Sequence, residues 1–219
     1  MSARSVVFNL ILVNVIMFAA TMLGGEKLYT LFGLHYFANP EFKPLQIVTH
    51  MFMHGGLAHI FFNMFALYMF GVVLERVWGP QKFLFFYMVT GLGAVALHMG
   101  VQAWIVHNYT GTFFPSAQEA YSIPGLRSIY YSTTVGASGA IFGVLVGFGV
   151  LFPNTELMLL FFPVPVKAKY LITGYILLEL YLGINMNSGD NVAHFAHLGG
   201  ALFGFILVKY WSRNTDYFY

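Results

Sequence analysis

Ser138 lies in the string Gly136-Ala137-Ser138-Gly139, and much later His197 lies in Ala196-His197-Leu198-Gly199-Gly200. Upstream of both, His59 and Asn63 are spaced i, i+4, so on a helix they share one face. A serine, two histidines and a carboxamide are the parts of nucleophilic acyl transfer. Serine attacks well only when a neighbouring base takes its proton, and the tetrahedral oxyanion that follows needs donors fixed around it. Ser138 would be the nucleophile and a neutral His197 its base. The Ser138 backbone N–H, the Asn63 amide and the His59 ring could supply the oxyanion donors. Small residues on both sides of Ser138 leave room for a peptide to reach its hydroxyl.

The elements that must position these groups are set by composition. Of 219 residues, 8% are charged and 58% hydrophobic, with a mean hydropathy of +0.72, whereas a soluble domain carries roughly 25% charged residues. The chain is therefore read as an all-α, multi-pass integral membrane protein. A net charge of +2 with no basic run leaves nucleic acid no electrostatic footprint. The absence of cysteine excludes disulfides, thiolate metal sites and a cysteine nucleophile.

Charge-free intervals of the length a bilayer requires predict six helices: Val6 to Leu23, Met51 to Leu74, Lys82 to Ile105, Gly136 to Leu151, Tyr170 to Asn185 and Asn191 to Tyr210. No strand-like alternation is visible, and Pro163 and Pro165 mark a connection. Tyr29 to Gln46 is expected in or on the outer leaflet, and Val106 to Val135 as an exterior loop. Arg4, Arg76, Lys82, Lys167, Lys169, Lys209 and Arg213 fall on one side of the bundle; Lys27, Lys43 and Arg127 fall on the other. That bias places both termini in the cytoplasm. Residues 1–219 are expected to form a single membrane domain without a separate soluble one, in a bacterial plasma membrane.

Heights along these helices bring the chemistry together. Ser138 is fifteen positions above Pro153, Asn63 thirteen above Arg76 and His197 twelve above Lys209. At 1.5 Å per residue these are roughly 22, 20 and 18 Å, with His59 at roughly 26 Å. Glu179, roughly 15 Å above Lys169, is the one acidic residue near this level. It is expected to be protonated, hydrogen-bonded to a neighbouring helix or facing cavity water, with no catalytic role, so the site reads as a Ser-His dyad. Gly139, Gly143 and Gly147 on the fourth segment, with Gly200 and Gly204 on the sixth, form small-residue faces that let two helices approach closely and would bring Ser138 to His197. His50, His54 and His194 are expected to be structural. His50, His54 and His59 are spaced for a zinc site, but no carboxylate or fourth ligand joins them, so no metal or other cofactor is expected.

The strings His54-Gly55-Gly56-Leu57-Ala58-His59-Ile60-Phe61-Phe62-Asn63, Glu75 to Gly79, Gly136-Ala137-Ser138-Gly139 and Ala196-His197-Leu198-Gly199-Gly200 with Gly204 together resemble the rhomboid intramembrane serine proteases over about Gln46 to Tyr210. The resemblance implies Ser138 as nucleophile, His197 as general base, and His59, Asn63 and the Ser138 amide as the oxyanion hole. It also implies a cap at Asn185 to Asn191 over a water-filled cavity, and single-span membrane proteins entering beside the fifth helix. Phe142, one turn after the serine, takes the place of a tyrosine that stacks on the base in some members. Two other classes compete: a catalytically inactive relative that binds membrane helices, and a proton- or metal-coupled carrier. The complete residue set counts against the first, and the lack of repeats and paired carboxylates against the second.

Overall fold

Apolar stretches of this length become helices because a backbone in hydrocarbon must satisfy its own hydrogen bonds. The computed structural model describes residues 5–159, 162–185 and 193–213. Its long helices follow the apolar segments in order: helix one Val6–Gly24, helix two Leu57–Trp78 and helix three Pro80–Thr110, helix four Ser138–Leu151, helix five Ala168–Ile184 and helix six His194–Arg213. Helices one, two and three are long and apolar enough to cross a membrane. Helix four has 14 residues, a rise of roughly 20 Å, and is shorter than a hydrocarbon core of about 30 Å.

Several boundaries differ from those expected. Helix two starts at Leu57 rather than Met51, because Gly55-Gly56 ends a short 3-10 turn at His50–Phe52 and glycine pairs disfavour a continuous helix. Helix three runs on to Thr110, into the expected exterior loop, since nothing breaks it before Gly111, whose left-handed backbone (φ 71°) closes it. The connection before helix five is an antiparallel hairpin, β1 Glu156–Leu159 with β2 Phe162–Lys167, pairing Glu156 with Lys167 and Met158 with Pro165. Prolines are tolerated there because a two-stranded hairpin consists only of edges. The expected start of helix six at Asn191, and the cap from residue 186 to 191, lie outside the described residues.

Helix four is the hub. Nine of its 14 residues are buried, and helices three and six pack on it and on each other. The approach to helix six is backbone to backbone. A Cβ on Gly200 would collide with the Gly139 carbonyl, and one on Gly204 would lie 2.8 Å from the Gly143 Cα. Such contact is open only to glycine, and it fixes the relative height of the two helices.

Helix two contains a wide π-type turn at Leu67–Gly71. It absorbs one residue, so the twelve positions from Asn63 to Glu75 act as about eleven, close to three turns of 3.6, and both side chains turn inward. Glu75 caps helix one. It accepts from Ser5 Oγ at 2.6 Å, Val6 N at 2.7 Å and Val7 N at 3.1 Å. The first amides of a helix have no intrahelical acceptor and carry the positive end of its dipole, so this carboxylate ties helices one and two together.

Candidate active site

The segment leading into helix four is held from two directions. Leu34 and Thr134 exchange backbone hydrogen bonds at 2.9 Å, and Gly136 N donates to the His50 carbonyl at 3.0 Å. Gly136 has φ 137°, a conformation that favours glycine. A Cβ there would also sit 2.9 Å from His59 Nε2. The missing side chain lets the His59 ring come down beside the serine. Helix four begins at Ser138, and its N-cap Ala137 offers no side-chain acceptor, so the first-turn amides face the site unpaired by any helix carbonyl.

Ser138 is half-buried. Its Oγ lies 2.7 Å from His197 Nε2, within reach for proton transfer. Phe142 lies flat on the His197 ring, with centroids 4.3 Å apart and planes 9° from parallel, which limits the ring to rotation in its own plane.

Across the serine, His59 Nδ1 accepts from Gly55 N at 3.3 Å. With Nδ1 used as an acceptor, the ring proton sits on Nε2, the nitrogen facing Gly136 and the serine. Asn63 follows one turn along helix two. It is buried, and its Nδ2 has no hydrogen-bond partner among the described residues, an expensive state for an amide donor unless something else arrives to accept. Ser138 and His197 are thus in direct contact, His59 lies beside them, and Asn63 adds an unspent donor on the same helix.

Three further histidines have other partners. His50 Nδ1 bonds the Gln46 carbonyl at 2.9 Å, His54 packs edge-on against His59 at 5.0 Å, and His98 Nε2 meets Thr134 Oγ1 at 3.2 Å behind the serine loop.

Sequence reasoning left out one part. Glu179 of helix five is buried, and its Oε2 lies 2.6 Å from His194 Nδ1 and 2.9 Å from His197 Nδ1. The His194 contact is a hydrogen bond. At the His197 contact no hydrogen bond is formed by Nδ1, and the 2.9 Å approach becomes a charge pair when the ring is protonated. A carboxylate therefore does approach His197, where the sequence reading had Ser138 and His197 alone. The signal was available: an acidic residue inside a membrane helix demands a partner, and His194 and His197, spaced i, i+3, present one helix face. These three residues also converge as a metal ion's ligands would, within 4.8 Å of one another. The separations of the two histidine nitrogens from the carboxylate oxygen, 2.6 and 2.9 Å, are of hydrogen-bond length.

Comparison with known proteins gives the family. A Rhomboid domain model matches residues 41–214. The chain is 29% identical to the RHOMBOID-like protein 12, mitochondrial, of Arabidopsis thaliana, over 97% of its own length and 59% of that protein's. It is 27% identical to the Rhomboid protein 1, mitochondrial, of Saccharomyces cerevisiae, over 78% of its length and 43% of the relative's. It is also 27% identical to the Rhomboid protease AarA of Providencia stuartii, over 94% and 72% respectively. The chain thus spans about half the length of the two mitochondrial relatives. Those names give the expected bacterial plasma membrane no support, while an integral membrane location stands. The matched domain covers Ser138, His59, His197 and Asn63, and on it the chain belongs to the rhomboid family.

Proposed function

We propose that the protein is an intramembrane serine endopeptidase that cleaves transmembrane segments of membrane proteins. The observation that carries this reading is the 2.7 Å contact between Ser138 Oγ and His197 Nε2 at the start of helix four. Ser138 Oγ attacks the scissile carbonyl carbon as its proton passes to His197 Nε2. The oxyanion is met by the Ser138 N–H, the Asn63 amide and His59 Nε2–H. His197 then protonates the leaving amine, the acyl-enzyme forms on Ser138, and water activated by the same imidazole releases it.

Residues 1–219 act in this reading as one membrane domain of six spanning helices with both termini cytoplasmic. Helix four, shorter than the hydrocarbon core, starts below the outer surface in this reading, which leaves the serine inside the bilayer and reachable by water from above. Substrates are single-span proteins whose helices are locally weakened, since an intact helix hides its peptide bonds in its own hydrogen bonds. The relative named as a protease, AarA, supports the same assignment. Incubating the purified protein with a panel of single-span helices and weighing the fragments tests it. Fragments from a single internal bond, absent with Ser138→Ala, are expected. Intact helices that co-purify with the wild type would instead identify an inactive helix-binding relative.

A further inference from the structure

We infer that Glu179 positions the base: it holds His197 with its proton on Nδ1 and its Nε2 lone pair on Ser138, while His194 holds Glu179. The inference rests on the protease reading and extends it to a second layer of residues.

A neutral imidazole carries one proton. To accept from Ser138, His197 must carry it on Nδ1, the nitrogen 2.9 Å from Glu179 Oε2. The carboxylate favours that form, because an N–H faced by an anionic oxygen is stabilised and a lone pair faced by it is repelled. The interaction strengthens as the reaction proceeds. When His197 takes the serine proton it becomes a cation beside an anion in a site of low dielectric, where charge pairs count for far more than in water. The lack of a hydrogen bond there does not weaken this part, since charge attraction depends on distance more than on alignment.

His194 supplies the fixed end. Its Nδ1 lies 2.6 Å from the same oxygen, and both Glu179 and His194 are 4% exposed, so the carboxylate is oriented by protein donors. Helix five is shaped for the contact. Gly183, one turn beyond Glu179 on the same face, would place a Cβ 3.2 Å from the His194 Cβ. Both residues belong to the few that helix five buries. A carboxylate inside a membrane helix is expensive, and the two partners this one meets are the base and a histidine one turn from it.

A mere tie between helices five and six would affect stability alone, so the test needs readouts that separate the roles. In full-length detergent-solubilised protein, Glu179→Gln keeps the shape and removes the charge. The expected result is a folded protein with kcat down roughly a hundredfold, part of the 10²–10⁴ a positioned base contributes, and KM little changed. Labelling of Ser138 by a fluorophosphonate should slow in parallel. Nitrogen-15 spectra of the histidines should show His197 Nδ1-protonated in the wild type and mixed in the variant. Glu179→Asp should recover part of the rate, and His194→Ala, which leaves the carboxylate but frees it, should cost roughly tenfold. Unchanged kcat in Glu179→Gln, or an unchanged His197 tautomer, overturns the inference. Should Glu179→Gln fail to fold, His194→Ala decides, and wild-type kcat there overturns it too. A wild type that neither cleaves nor labels sinks the protease reading instead, and the tautomer comparison still judges the positioning.

Discussion

Nine of 14 residues are buried in helix four, against four of 17 in helix five, yet both helices bring a functional group to the same histidine. Helix four delivers Ser138 through backbone contact with helix six, glycine against glycine, where a methyl group would collide. Helix five delivers Glu179 through side chains, and much of its surface is apolar and exposed, including Leu177 at 60% and Ile184 at 69%. Ser138 and His197 are therefore set against each other by the main chain and cannot drift without disrupting the core. The carboxylate depends on how firmly a lightly packed helix docks. One side of the base is built for precision and the other for adjustment.

Glycine substitutions break this comparison most severely. Gly200→Ala puts a methyl group into the Gly139 carbonyl, so helices four and six must separate; the expected result is a large fall in thermal midpoint and no turnover. Gly174→Ala on helix five meets nothing within 4 Å and should leave activity intact, with stability unchanged or raised by about 0.5–1 kcal/mol from helix propensity. Thermal melts of the pair check both.

Side-chain deletions at the tight side come next. Ser138→Ala removes one hydroxyl at a half-buried position and should leave a folded protein with turnover at background. His197→Ala should do the same in a cleavage assay.

Graded losses follow on helix two. Asn63→Ala and His59→Ala each delete one of several oxyanion donors and should lower kcat by about 10² to 10³. The loss should fall on kcat more than on KM if the donors act chiefly in the transition state. A pure KM effect would move both residues to substrate binding.

The smallest functional effect is expected far from the site. Glu75→Ala strips the cap from helix one and leaves buried amides unpaired, costing about 1–3 kcal/mol of stability while turnover per folded molecule stays near wild type. Denaturation and specific activity, measured together, separate the two.

Much of the serine side was legible in the sequence, because its information is local. Ser138 sits in a run of small residues, His59 and Asn63 share a face by spacing alone, and heights counted at 1.5 Å per residue put the groups at a common level. What escaped depends on contacts between distant segments. The angle of helix five around its own axis decides whether Glu179 meets His197 or lipid, and hydropathy does not encode that angle when most of the helix is apolar. The wide turn at Leu67–Gly71 is marked only by the single Gly71 at its end, which helices in apolar surroundings commonly accommodate without a change of pitch, so the inward turn of Glu75 toward helix one was hidden too. The hairpin after helix four was masked because its prolines speak against strands in general while permitting edges.

If His197 makes Ser138 a nucleophile, Ser138 should react covalently with a small fluorophosphonate, a reagent that needs an activated hydroxyl rather than an exposed one. Mass analysis of the intact protein and its peptides should find one adduct, on Ser138, with labelling strongly reduced in His197→Ala and slowed in Asn63→Ala. An adduct on any other serine, or one formed equally well without His197, would contradict the account.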